Sequence, residues 1–204
     1  MRSKYIKESD QKILYEKLGK KGLPLMISQE TGLRIGDVVS LQYRQVYKHG
    51  GKYYIKFIAM KTAKKGVAEI TKELYDKIMD KRRLDHGEYI FAANGRSGHI
   101  SRQTVWNWIK DAAKRGGIDP AGISPHSYRK IFAVNRMHKD GIEAVQRALQ
   151  HSNKAVTRVY AYADTIMNQG SEEPIRWCDL EMIVDYILDR LKERSSNENK
   201  GYAY

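Results

Sequence analysis

VYKHGGKYYIKFIAMKTAKKGVAEI, residues 46–70, is the stretch that decides the fold. Gly50 and Gly51 punctuate a β-rich run from Val46 to Met60, whose Val, Tyr, Ile and Phe suit a pleated, half-buried ribbon. Val67 to Ile70 is expected to return as an antiparallel strand, which makes MKTAKKG the turn of a small sheet.

Outward in both directions the text is helical. Ser9 is expected to cap a helix carrying Ile13, Leu14 and Leu18, and Pro24 opens a second helix that Gly32 closes. A short helix runs from Ile35 to about Leu41. Beyond the sheet, one helix is expected from Thr71 to about Arg83, and another from a Ser101 cap with Val105, Trp108, Ile109 and Ala112 on a core-facing stripe. Helices over Ser127 to Lys139, Ile142 to Leu149 and Lys154 to Tyr162 follow, divided by Gly141 and by the polar step His151-Ser152-Asn153. A last amphipathic helix, about Asp179 to Arg194, carries Leu180, Ile183, Val184, Ile187, Leu188 and Leu191 ahead of the tail SSNENKGYAY. The fold class is therefore mainly α with a small antiparallel β-sheet.

Composition narrows the partners. Lys and Arg number 37 against 24 acids, a net charge of +13, so the surface attracts polyanions and nucleic acid heads the list. No apolar run is long enough for a membrane span and none resembles a signal peptide, so no membrane partner is expected. Cys178 is the only cysteine, which excludes disulfide staples and multi-cysteine zinc sites and points to reducing cytosol.

Candidate chemistry is distributed along the chain. Arg34, in TGLRIGDVVSL (residues 31–41), follows a helix-ending glycine, where a long side chain projects from an element terminus while packing orients its backbone. Asp37 can pair with it across one turn or support another group of a site. Lys61, with Lys64 and Lys65, makes a cationic hairpin tip suited to a DNA groove or to phosphates. His126 and Arg129, in SPHSYRKIFA (124–133), share a face at a helix N-terminus, where amides and dipole favour an anion. Arg offers a planar fork of donors to phosphate oxygens, and His exchanges protons near neutral pH. His151 follows a helix end, and Tyr160 lies nine residues later in ALQHSNKAVTRVYAYAD. Singly, each has an ordinary explanation: a surface salt bridge for Arg34, a solvated loop for the lysines, core packing for one tyrosine among 14.

Together and in this order the set resembles the tyrosine recombinase or phage integrase family over roughly Leu23 to Ala163. TGLRIGDVVSL is similar to that family's first arginine box, Lys61 to its β-hairpin lysine, and SPHSYRKIFA to its His-x-x-Arg box. ALQHSN is similar to its Leu-Gly-His box with Gln150 in place of Gly, and TRVY to its nucleophile segment. Tyr162 is a rival for Tyr160, turned away by about 200° on a helix, while Lys64 and Lys65 are rivals for Lys61 if the hairpin register slips.

The resemblance implies the tyrosine recombinase catalytic-domain fold over residues 1–170, with residues 171–204 as a C-terminal helix and tail that packs in cis or docks on a neighbouring protomer. It implies a form without the N-terminal core-binding domain, either a short member like the fimbrial-switch invertases or a catalytic fragment of a longer chain. The implied catalytic set is Arg34, Lys61, His126, Arg129, His151 and Tyr160, supported by Asp37, with Lys64, Lys65 and Lys130 on DNA. The implied reaction is strand cleavage and rejoining through a 3′-phosphotyrosyl ester at double-stranded recombination sites, without metal or other cofactor. A monomer in solution would assemble into a homotetramer on paired sites. Two other readings stand beside this one: DNA relaxation of the type IB topoisomerase kind, and a non-catalytic DNA-binding regulator.

Overall fold

A computed structural model describes residues 3–84, 87–94 and 97–149. Two compact units divide the chain at Phe132 and Ala133. In the first, α1 (Glu8–Leu18) and α2 (Leu23–Thr31) are joined by a 3₁₀ turn (Gly19–Gly22), and α3 (Ile35–Val39) follows. A second 3₁₀ turn leads into β1 (Val46–His49), β2 (Lys52–Ile58) and β3 (Lys65–Ile70), then α4 (Lys72–Leu84), α5 (Arg102–Arg115) and the start of α6 (Pro125–Leu149). Of the second unit, only the α6 residues up to Leu149 are described.

The sheet is a meander in the order β1-β2-β3, antiparallel throughout. Its register pairs Val46 with Ile55, Lys56 with Val67 and Ile58 with Lys65. Strand alternation then puts Ile55 and Phe57 on the buried face, and Lys56 and Ile58 on the exposed one. The buried face joins Leu23, Ile27, Leu74, Ile78, Ile90 and Phe91 in one core. A second core, between α1, α5 and the start of α6, gathers Leu14, Leu18, Val105, Ile109, Ala112, Tyr128 and Ile131.

α3 belongs to both cores. Val38 is buried in the first and Val39 in the second, while Leu33 and Leu41 anchor its flanks in the first. Five residues cannot hold a helix unaided, so this double burial fixes it and with it the direction of Arg34 at its cap.

Several expectations are met: Pro24 lies in the first turn of α2, Gly32 closes that helix in the left-handed region at φ 69°, and Ser101 caps α5 by accepting from the Thr104 amide. Others need correcting. Ser9 is not the cap of α1; Lys7 holds that position, because the preceding segment is tied by the Lys4 amide to the Gly122 carbonyl and the helix opens at Glu8. The third helix ends at Val39, two residues early, as Ser40 turns its hydroxyl onto the Asp37 carbonyl. Gly141 does not divide two helices: α6 continues to Leu149, since one interior glycine costs only about 1 kcal/mol. The helices expected over Lys154–Tyr162 and Asp179–Arg194, and the boundary at residue 170, lie outside the described residues.

Candidate active site

The site is organised around residues 32–37. Thr31 and Ser28 lock the turn that leads into it: the Thr31 hydroxyl donates to the Ile27 carbonyl at 2.6 Å and accepts from the Leu33 amide at 3.2 Å, and the Ser28 hydroxyl donates to the Leu33 carbonyl at 2.8 Å. Glycine at position 32 is needed here because its φ of 69° strains any residue with a Cβ. The half-buried Arg34 then caps α3 through its backbone, and no described side chain bonds its guanidinium.

Two long-range bonds bring other candidates to this segment. Arg129, only 6% exposed, donates from its guanidinium to the Gly32 carbonyl across 97 residues of sequence. That bond, to a backbone carbonyl, fixes the direction of the guanidinium. α6 starts at Pro125 because proline suits a first helical position and the Ser127 hydroxyl reaches back to the Ser124 amide at 3.2 Å. His126 sits exposed in this first turn, three residues before Arg129.

The second bond positions the hairpin. Asp37, 5% exposed, accepts the Met60 amide on Oδ1 at 2.9 Å, while its Oδ2 is buried with no hydrogen-bond partner. Asp37 therefore reaches across to the turn preceding Lys61 and does not pair with Arg34. The turn closes on itself through Ala63 to Ala59 at 2.7 Å and Ala59 to Lys64 at 2.9 Å, with Ala63 held at φ 53°. Lys61, Lys64 and Lys65 are all exposed on it. Lys130 is placed differently: its ammonium donates to the Ser3 carbonyl.

Arg34, Arg129, Asp37 and the turn of Lys61 thus meet through adjoining backbone, whereas His151 and Tyr160 lie outside the described residues. Sequence reading missed the Gly32 carbonyl and the Met60 amide as the connecting atoms. No local pattern signals either, since each bond joins distant segments. Two guanidiniums, a histidine and a lysine-bearing turn on one support form an arrangement that can bind a phosphate and stabilise charge developing on it. Among the described residues, no group of three or more His, Cys, Asp or Glu side chains could hold a metal ion, and no helix is long and apolar enough to cross a membrane.

The phage integrase family model matches residues 5–166, and the chain belongs to that family. Tyrosine recombinase XerD of Rhizobium meliloti (strain 1021) is 31% identical over 139 residues, which is 65% of this chain and 43% of that protein. The fold is similar to the crystal structure of XerA recombinase, with a TM-score of 0.66 and 22% identity over 82% of this chain and 64% of that one. It is equally similar to lambda integrase (75-356), crystallised as a dimer bound to a COC′ core site, with a TM-score of 0.66 and 17% identity over 86% of this chain and 64% of that one. The chain spans about half the length of the curated relatives it matches.

Proposed function

We propose that this chain is the catalytic part of a site-specific DNA recombinase that cuts and rejoins strands through a 3′-phosphotyrosyl intermediate. The observation that carries the reading is the Arg129 to Gly32 bond, which seats the His-x-x-Arg element beside Arg34 while Asp37 holds the Lys61 turn to the same segment.

Phosphodiester cleavage needs a nucleophile, neutralisation of a phosphorane, and a proton for the departing 5′ oxygen. Tyr160 attacks in line. Arg34 and Arg129 hold the nonbridging oxygens and tighten as charge develops, and His151 adds a donor. Lys61 donates a proton to the departing 5′ oxygen, which leaves as a hydroxyl, and His126 assists removal of the phenol proton, which an unperturbed tyrosine holds up to about pH 10. Asp37 acts indirectly, as the anchor of the Lys61 turn. Lys64, Lys65 and Lys130 contribute positive charge toward the DNA backbone, Lys130 once it leaves Ser3.

The ester stores the bond, so a 5′ hydroxyl from a second duplex reverses the step without ATP, and the cationic set performs the neutralisation that metals supply in other phosphoryl-transfer enzymes. Exchange between two duplexes calls for four such sites, hence a tetramer of otherwise monomeric chains on paired double-stranded sites in the cytoplasm. Residues 171–204 are its connector. The DNA-bound dimer of the structurally similar lambda integrase supports DNA as the partner. Membership of the integrase family supports recombination over relaxation.

The test uses a pool of nicked duplexes with randomised sequence around the nick, from which a cleaved fragment diffuses away. A covalent protein–DNA adduct that disappears in Tyr160→Phe is expected. No adduct with the unaltered chain, or an adduct that survives Tyr160→Phe, refutes the reading.

A further inference from the structure

Exposed apolar side chains are not scattered evenly over the described residues. Five large ones are prominent, and four of them, Tyr47, Ile58, Met60 and Val67, lie on the outer face of the sheet or on its turn. Ile58, Met60 and Val67 are 57%, 71% and 55% exposed and cluster at the hairpin end. The register places Val67 diagonally across from Ile58 on that outer face. Met60 is the next outward residue but one, carried on the turn that Asp37 anchors.

Cations interleave with this apolar tip. Lys56 pairs with Val67 and Lys65 with Ile58 across the strands, and Lys61 and Lys64 sit on the turn. The acid on the same face, Glu69, is already paired with Lys52 at 3.2 Å. A protein partner fits poorly, because interface cores are depleted of lysine. A polyanion with apolar faces between its charges fits well, and duplex DNA is such a ligand. Lysines would follow the phosphates while the apolar tip meets base edges or an opened base step, as apolar wedges do in DNA-bending proteins.

We propose that Ile58, Met60 and Val67 form an apolar wedge that contacts and partly unstacks the base step beside the scissile phosphate. The wedge rests on the recombinase reading, since the Asp37 link puts Met60 next to the lysine assigned to the leaving group. It makes these side chains determinants of which base step is cleaved, separate from the charges that set affinity. All three are exposed, and threonine preserves strand preference at positions 58 and 67.

The experiment compares the full chain with its I58T/M60S/V67T variant on a nicked duplex selected from the cleavable pool, carrying 2-aminopurine beside the cut. The unaltered chain should raise the fluorescence of the unstacked base on binding. The variant should lose that rise and form adduct about tenfold more slowly, with unchanged melting temperature and an unchanged salt dependence of binding. Equal fluorescence and equal adduct rates overturn the wedge alone. A variant that differs only in self-association by sedimentation also overturns it, assigning the patch to a second copy of the chain. Absence of adduct from the unaltered chain removes the recombinase reading and the wedge with it.

Discussion

Asp37→Ala separates local anchoring from overall stability. The substitution removes a carboxylate that accepts the Met60 amide at 2.9 Å, a hydrogen bond to a charged group worth about 1.5–3 kcal/mol. It also removes Oδ2, which is buried with no partner and whose lost hydration costs about 1–3 kcal/mol. The two terms oppose each other, so global stability by urea denaturation should fall between a gain of about 1.5 kcal/mol and a loss of about 2 kcal/mol. The turn feels only the first. At about 1.4 kcal/mol per factor of ten, the Met60 amide should exchange roughly 10- to 100-fold faster. Amides in the α5 core, such as Ile109, should keep their protection. Strand cleavage should fall with the loosened turn, while Asp37→Asn, which retains an acceptor, should lie between the two. Hydrogen exchange resolved at single amides is the assay. An unchanged Met60 rate, or acceleration spread equally over the core, refutes the account of Asp37 as a hairpin anchor.

Other outcomes follow from the same packing. Tyr128→Phe removes a fully buried hydroxyl with no hydrogen-bond partner and should stabilise the fold by about 1 kcal/mol in urea; a loss of stability contradicts that assignment. Burial holds the Tyr15 and Tyr128 phenols protonated well above the usual range, and Tyr128 reinforces this at Tyr15. The unfolded chain releases those protons from about pH 10 while the folded chain retains them, so their contribution is intact below that pH and fades as pH rises above it. An alkaline titration followed by ultraviolet absorbance should show these two phenols, among the tyrosines of the described residues, ionising only on unfolding. Gly66→Ala should cost about 1–3 kcal/mol and disturb the hairpin, because a Cβ there lies 2.5 Å from the Phe57 ring; full stability by calorimetry speaks against that contact.

The parts of the fold written in local chemistry were legible. Gly50 and Gly51 punctuated the β-rich run at the point where β1 turns into β2, and the Ser101 side chain capped the helix it preceded. Ser9 misled because capping depends on how the incoming chain is held, and that is decided by a bond between Lys4 and Gly122. Gly141 misled for a related reason: glycine weakens a helix but does not end one unless the chain has somewhere else to go.

The candidate site shows the same divide. Arg34, Asp37, Lys61, His126 and Arg129 could be picked out by residue type and context, yet what assembles them is a carbonyl at Gly32 and an amide at Met60. Every residue has such groups, so their use is fixed only by tertiary packing. Asp37 illustrates the consequence: its spacing left open a pair with Arg34 or support of another group, and the fold delivers the Met60 amide. Lys130 is the converse case, a cation whose charge suggested DNA and whose ammonium is engaged by the Ser3 carbonyl.

The central claim is that Arg34 and Arg129 neutralise one scissile phosphate. The direct measurement is cleavage by Arg34→Ala of a duplex whose scissile phosphate is replaced by methylphosphonate, which lacks the negative charge. Arg34→Ala should be inactive on phosphate and regain cleavage on methylphosphonate, because the charge its guanidinium balanced is gone. A variant equally inactive on both, or equally active on both, would contradict the claim.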